Sequence, residues 1–360
     1  MRGLVPDLQT GTNMSKKPNP VCIEIGDSVL KEAASKFGAA SAGLLRLHDS
    51  VRVVRGDRFV EKSLCQCERD GGSFVLRLTH PRYVDVKLIA GEVDWVNYLA
   101  DNGLSVPRAV PSDQGNLVEI VEDENCSYAV VCFEKAEGRQ IDFDDPDEWS
   151  AGLFERYGET VGRMHALTKE YRPAGTSLVR IQWHEQDWIA NRDDYLPRSE
   201  SRVRQKYGEL VEALHRLPRD RDAFGLIHGD AHPWNALYHE GNITLADFDF
   251  CEHSWFASEI AIILFYAVMA PTKGMDNVNF ARCFLKNFMR GYRKENSLDG
   301  FWMKRIPDFL RLRMLSKYVL HYPEWKSKIM TEKRRSAFLE WKRKIQNDIP
   351  YLDLDFSKFA

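Results

Sequence analysis

The sequence predicts an α+β chain of two lobes, a small N-terminal lobe of antiparallel β-sheet with one helix and a larger, mainly helical C-terminal lobe. Three observations predict it. Short β-type runs joined by turn residues fill the first 130 positions, and one long amphipathic segment interrupts them. Beyond EKAEGR (residues 134–139) almost every periodic segment has helical spacing instead. A chain of 360 residues is long enough to give each lobe its own core.

Taken in order, residues 1–27 are polar and rich in Pro and Gly and lack the apolar core of a signal peptide. They are expected to be a disordered leader, with Met14 as a candidate native start. Residues 28–46 (SVLKEAASKFGAASAGLLR) have a helical composition. Strands are expected at Val51–Arg55, Lys62–Cys67 and Phe74–Leu78, joined by the turn-forming GDRF and ERDGG. A helix follows from about Val84 to Ala100 and stops at Asp101-Asn102-Gly103. Strands at Leu117–Val121 and Tyr128–Phe133 complete a lobe spanning 28–133, with a hinge at about 131–138. In the second lobe, 134–360, helices are expected over 148–168, 201–217, 256–270, 277–294, 303–322 and 330–347. The first of these carries Leu153, Tyr157, Val161 and Met164 on one stripe.

Composition removes several functional classes. A net charge of −3 gives no electrostatic case for nucleic acid. The longest apolar run, Ile260–Ala270, falls well short of the roughly 20 residues that span a bilayer, so it reads as a buried helix and no membrane partner is expected. The cysteines (Cys22, Cys65, Cys67, Cys126, Cys132, Cys251 and Cys283) form no C-x-x-C, which leaves neither a zinc ribbon nor a redox motif. Cys65 and Cys67 share one strand face as small hydrophobes, and the odd count suits a reducing, cytoplasmic setting.

Two residues break the pattern around them. The stripe of the helix near 84–100 runs Val84, Leu88, position 92, Trp95, Leu99, and position 92 is a glutamate. Either Glu92 marks the edge of a wider stripe, or it points inward at a cation, because a buried unpaired carboxylate is costly. Arg77, in the middle of the apolar FVLRL, is the candidate partner.

The stretch His228–Phe250, HGDAHPWNALYHEGNITLADFDF, packs three aspartates, three histidines and two asparagines around two short apolar runs. Asp230 and Asn235 are five apart, and Asp247 follows twelve later, after a hairpin (NALY–HEGN–ITLA) that brings Asn235 and Asp247 side by side. Oxygen ligands alone point to a hard cation such as Mg²⁺, not zinc. His228, His232 and His239 lack the spacing of a metalloenzyme helix pair and read as structural hydrogen-bonders. Phosphoryl transfer uses such an order of groups. A first Asp orients the attacking hydroxyl, an Asn and a second Asp hold Mg²⁺ against the nucleotide, and a strand cation paired to a helix Glu fixes the phosphates.

With FVLRLTHP, GEVDWVNYLADNGLSVP, VVCFEKAEGR, GRMHAL, HGDAHPWNAL and LADFDF in this order over about residues 41–325, the chain resembles the aminoglycoside phosphotransferase/choline kinase family, in particular its bacterial members. A weaker match covers 289–315. The resemblance implies a protein-kinase-like fold and an ATP- and Mg²⁺-dependent transfer of the γ-phosphate to a hydroxyl of a small molecule, such as an amino-alcohol, a sugar or an aminoglycoside-like acceptor. It implies that Asp230 is catalytic and that Asn235 and Asp247 bind Mg²⁺. Arg77 becomes the phosphate-contacting strand cation with Glu92 as its ion-pair partner, and Val131, Cys132, Phe133 and Glu134 become the hinge whose backbone reads adenine. Two departures stand out. Arg77 replaces the usual lysine, giving a planar donor fork, and no G-x-G-x-x-G precedes it, only Gly56 in RGDRF.

Other readings are a protein Ser/Thr kinase on the same scaffold, for which no A-P-E or activation-loop phosphosite is present, and a non-catalytic ATP-binding module, which the intact Asp230, Asn235 and Asp247 oppose. For the acceptor, the acidic run Asp142, Asp144, Asp145, Asp147, Glu148 either favours a helix N-terminus or meets a cationic molecule. Trp183, Trp188, Tyr195, Trp234, Trp255 and Phe256 lie on the expected acceptor side, where one or two could wall a pocket for an organic cation. Asp249 is either a third carboxylate at the metal or a group facing the acceptor.

Overall fold

Strand pairing decides which face each side chain of the first lobe serves. The computed structural model describes residues 25–39, 44–54, 57–80, 85–123, 126–272, 274–326 and 330–360. The leader up to residue 24, with Cys22, lies outside the described residues, as do Arg55, Gly56 and Val84. The chain divides into two compact units. One takes in the described part of Met1–Asp101 with Val106–Ala136 and Arg172–Val179; the other comprises Asn102–Ser105, Glu137–Tyr171 and Arg180–Ala360.

The first unit contains α1 (Asp27–Lys36), β1 (Leu45–Val54), β2 (Asp57–Arg69), β3 (Gly72–Thr79), α2 (Val86–Asp101), β4 (Ala109–Val110), β5 (Glu119–Glu122) and β6 (Ser127–Glu134). All pairings are antiparallel, in the order β1-β2-β3-β6, with β4 and β5 sharing the outer edge of β6. The helix expected over 28–46 stops at Lys36, because Gly38 turns into the left-handed region at φ 66° and ends it. Leu45 and Arg46 join β1 instead, so the strand expected at Val51–Arg55 is the second half of a longer one. β4, two residues long, is too short to leave a periodic signal.

The sheet is buried on both faces. Cys65, Cys67, Leu76, Leu78, Val130 and Cys132 pack with Val29, Leu30 and Ala33 of α1. Residues of the opposite parity, Ala129 and Val131, pack with Ile89, Ala90 and Val93 of α2. Two-sided burial is the reason these strands read as continuous apolar runs without alternation. The two cysteines of β2 do share one face as small hydrophobes.

The second unit contains β7 (Arg139–Gln140), α3 (Ala151–Glu170), α4 (Asp187–Ala190), α5 (Arg192–Tyr195), α6 (Ser201–His215), β8 (Phe224–Ile227), β9 (Ala236–His239), β10 (Asn242–Leu245), β11 (Glu252–Trp255), α7 (Phe256–Ala267), α8 (Asn277–Glu295), α9 (Gly300–Met303), α10 (Ile306–Lys326) and α11 (Glu332–Gln346). Among the described residues, no helix is long and apolar enough to cross a membrane. α7, the apolar run, is buried all round. Its neighbours α3 and α8 cross backbone to backbone. A Cβ on Gly158 would lie 1.9 Å from the Phe288 carbonyl, and one on Gly291 would lie 1.8 Å from the Glu155 carbonyl. Two small antiparallel ladders, β10-β9-β7 and β11-β8, carry the polar stretch.

Because no rotamer relieves a clash of Cβ with backbone, Gly158→Ala is expected to push α3 from α8 and lower stability by about 1–3 kcal/mol. Urea unfolding checks this, and an unchanged midpoint would contradict the close crossing.

Candidate active site

In the first unit, Leu76 and Leu78 of β3 face α1, so Arg77 between them faces α2. There its Nη1 and Nη2 donate to Oε1 and Oε2 of Glu92 at 2.6 and 2.8 Å, a bidentate fork. Arg77 is 3% and Glu92 1% exposed, so Glu92 points inward at a cation and does not sit at a stripe edge. The ring of Phe133 lies 5.3 Å from the guanidinium carbon and covers it.

The residues expected at the hinge form the end of β6. Val131, Cys132, Phe133 and Glu134 lie within β6, paired with β3 as far as Glu134 and with β4 at Cys132 and Phe133. Val131 and Cys132 are buried in the two cores, one on each face of the sheet. An apolar run that satisfies both faces keeps the ladder going until the charges of Glu134 and Lys135, and the unit itself ends at Ala136.

In the second unit, β8 delivers the loop His228-Gly229-Asp230 from its C-terminal end. Gly229 has φ 77°, and a Cβ there would meet the Phe250 carbonyl at 2.4 Å, so only glycine fits. Beneath the loop, Glu259 of α7 is fully buried and accepts the backbone N–H groups of His228 and Gly229. Burial raises the Glu259 carboxyl above its ordinary range, and these N–H groups pull against that. His228 Nδ1 accepts from the Asp230 N–H at 3.3 Å, which places the ring proton on Nε2, 3.0 Å from the Ala246 carbonyl.

Ala246 ties the stretch together. Its N–H donates to the Asn235 carbonyl at 2.9 Å while its own carbonyl takes the His228 proton. Hairpin β9–β10 thus sets Asp247 next in chain to a residue bonded to Asn235. Asp247 adopts φ 68°, a left-handed conformation that Asp tolerates better than most side chains. The Asn235 Nδ2 donates to the Asp230 carbonyl at 3.1 Å, which leaves Oδ1 as the acceptor end of the amide. His232 links the first two groups. Its Nδ1 accepts from the Asn235 N–H at 3.1 Å, and its Nε2 lies 3.4 Å from Asp230 Oδ2. Burial lowers the His232 pKa, which keeps the ring neutral and the proton on Nε2. His239 makes only a surface pair with Glu137, so all three histidines act as hydrogen-bonders. Among the described residues, no three His, Cys, Asp or Glu side chains converge as a metal cage.

Sequence reasoning missed three charged groups here. Arg313 of α10 donates to Asp230 Oδ1 and, at 2.9 Å, to the Tyr266 hydroxyl. Glu252 of β11 is buried, accepts from Gln186 Nε2 at 2.6 Å, and is lifted by that burial from its ordinary 4.5 to about 7. Glu259 is the third, and it alone had a signal, as the one acid inside an otherwise apolar helix. The His of GRMHAL, His165, is a core residue that burial drives down to about 3; it bonds the Tyr292 hydroxyl at 2.9 Å.

The acidic run serves its own backbone. Asp142 accepts from Asp144 N–H at 3.0 Å, Asp145 from Asp147 N–H at 2.9 Å, and Glu148 pairs with Arg139 at 2.6 Å. The run lies before α3 and contributes no acid to its first turn, so it caps turns and not the helix. Trp183, Trp188, Trp255 and Phe256 are core residues, and Tyr195 bonds Asp187 at the surface. Trp234 remains, half-buried, with its ring 5.8 Å from that of His232. The Asp249 carbonyl accepts from Arg180 at 2.7 Å and anchors the end of the stretch.

A model of the phosphotransferase enzyme family matches residues 61–295. Amicoumacin kinase of Bacillus subtilis (strain 168) is 33% identical over 333 residues, 92% of this chain and 95% of that protein. A solved structure of amicoumacin kinase in complex with AMP-PNP, Ca²⁺ and Ami superposes with a TM-score of 0.85 at 30% identity, covering 94% of this chain and 98% of that one. A microcompartment-associated aminopropanol kinase superposes with a TM-score of 0.65 at 19% identity, covering 89% and 95%, a likeness of fold.

Two outcomes are expected. Glu92→Ala strands the Arg77 charge in the core and should cost about 3–5 kcal/mol of unfolding free energy in denaturant titration; a cost near zero would mean the pair is not buried in solution. Glu252 holds a proton in the folded state that the unfolded chain releases between about 4.5 and 7, so its contribution to stability is lost as pH rises through that window. Glu252→Gln should remove that part of the decline, read as the difference between the unfolding midpoints of variant and wild type along the pH series. Parallel curves would show that Glu252 is already ionised.

Proposed function

The chain belongs to the phosphotransferase enzyme family, and on that premise we propose that it transfers the γ-phosphate of ATP, with Mg²⁺, to a hydroxyl of a small organic molecule, amicoumacin being the first acceptor to test. The fold is protein-kinase-like and the chain is a small-molecule phosphotransferase. The observation that supports the finer reading is the hydrogen-bonded chain Asp230–His232–Asn235–Ala246, which ties Asp230 and Asn235 to the residue that precedes Asp247.

In this reading Asn235 Oδ1 and the Asp247 carboxylate hold the metal. One amide and one carboxylate make too few ligands for a protein cage, which suits Mg²⁺, a cation that completes its shell with phosphate and water. Bound there, Mg²⁺ would neutralise charge on the phosphate oxygens. Asp230 orients the acceptor hydroxyl and takes its proton. In the first unit, Arg77 is the cation for the phosphates, held by Glu92 with a fork that a lysine could not match. The backbone of Val131, Cys132, Phe133 and Glu134, at the end of β6, serves the adenine side. Trp234 offers the aromatic surface for the acceptor. The likeness to amicoumacin kinases at 33% and 30% identity over nearly the whole chain supports an acceptor of that chemistry.

Incubation with MgATP and, separately, amicoumacin, aminopropanol, spectinomycin and a protein extract tests the reading. A single added phosphate on amicoumacin by mass spectrometry is expected, whereas labelling of protein alone would overturn it. Asp230→Asn should abolish transfer and leave nucleotide binding intact, because an amide has no comparable basicity. Asp247→Ala should instead weaken nucleotide binding only when the divalent ion is present. Calorimetric titration with ATP, with and without Mg²⁺, separates the two variants, and identical behaviour would refute the division of labour.

A further inference from the structure

Arg313 is buried against the carboxylate of Asp230. Its side chain is 11% exposed and that of Asp230 17%, and they meet through one nitrogen, Nη2, which also reaches the Tyr266 hydroxyl. The guanidinium carbon stands 5.0 Å from the centre of the Tyr266 ring. On its other side Arg313 lines a small cavity together with Gln186, Gly229, Glu252 and Ser316. Arg313 is thus held by a ring and a hydroxyl, with a second buried carboxyl across the cavity.

We infer that Arg313 is a positioning residue for phosphoryl transfer: by fixing Asp230 through Oδ1, it leaves Oδ2 as the oxygen that receives the acceptor hydroxyl. This rests on the reading of Asp230 as the group that takes the proton. A carboxylate bonded by a charged donor at one oxygen cannot rotate freely, and orientation of a general base is worth far more than its mere presence. His232 Nε2 approaches Oδ2 only at 3.4 Å, longer than a formed hydrogen bond, so that oxygen keeps capacity for the incoming hydroxyl. In the step, the acceptor O–H bond breaks and its proton goes to Oδ2. The acceptor oxygen forms the new O–P bond, and the bond from the γ-phosphorus to the β–γ bridging oxygen breaks, so that its electron pair leaves with ADP. A salt bridge with only a structural role would stabilise the fold and leave the rate per folded molecule untouched.

The test uses the full chain with MgATP, amicoumacin as acceptor, and turnover without acceptor as a second readout, so that water serves as acceptor if amicoumacin does not. Arg313→Ala should lower kcat by roughly 10²-fold, with KM for ATP changed by less than about twofold. Guanidinium at sub-denaturing concentration should restore part of the loss. In an Asp230→Asn background, where transfer is abolished, guanidinium should rescue nothing. Arg313→Lys keeps the buried charge if the alanine variant does not fold; a point charge cannot hold Asp230 and Tyr266 together, so kcat should still fall about tenfold at an unchanged unfolding midpoint. Wild-type kcat in Arg313→Lys, or in a folded Arg313→Ala, alongside an inactive Asp230→Asn, overturns the inference. So does rescue of turnover by guanidinium in Arg313→Ala that persists in the Asp230→Asn background. If Asp230→Asn itself turns over normally, the reading of Asp230 fails instead, and the two failures are distinct.

Discussion

The carboxylate of Glu259, fully buried in the first turn of α7, accepts the backbone N–H groups of His228 and Gly229 as the chain leaves β8. Without it, two buried donors would be unanswered, at a cost of about 1–3 kcal/mol each. With it, the loop has one conformation, which Gly229 alone can follow beneath the Phe250 carbonyl. From that anchor the order propagates by hydrogen bonds: His228 to Ala246, Ala246 to Asn235, and the Asn235 amide and the His232 backbone N–H to the Asp230 carbonyl. The backbone that carries Asp230 and Asn235 is thus tied, bond by bond, to that buried acid.

The first unit faces the converse problem. Arg77 is a cation in a sheet buried on both faces, and Glu92 answers it in a bidentate pair at 2.6 and 2.8 Å. Each unit therefore holds a charge inside its core at a cost in desolvation, and each offsets the cost with hydrogen bonds of fixed geometry. Transfer of a phosphoryl group asks for that property, since little covalent chemistry falls to the protein and most of the gain comes from charges that need not reorganise.

Much of this was legible in the sequence, for identifiable reasons. Long helices such as α3 and α8 announce themselves by period, and the hairpin β9–β10 by its Gly-containing turn. Glu92 and Arg77 were legible because each violates an apolar pattern. The 28–46 segment was not, since nothing local tells the residues after Gly38 to enter a strand. Val131–Glu134 was legible as the end of a strand, since its apolar run stops at the charges of Glu134 and Lys135. Arg313 and Glu252 were silent for a different reason. Arg313 is 83 residues from Asp230, and a charged residue on a helix or strand of mixed polarity breaks no rule.

The central claim is that Asn235 and Asp247 hold the cation that meets the nucleotide. Crystals grown with Mn²⁺ and a non-hydrolysable ATP analogue would locate the ion by its anomalous scattering. The account predicts a peak bonded to Asn235 Oδ1 and an Asp247 carboxylate oxygen; an ion bound to the nucleotide but to neither side chain would contradict it.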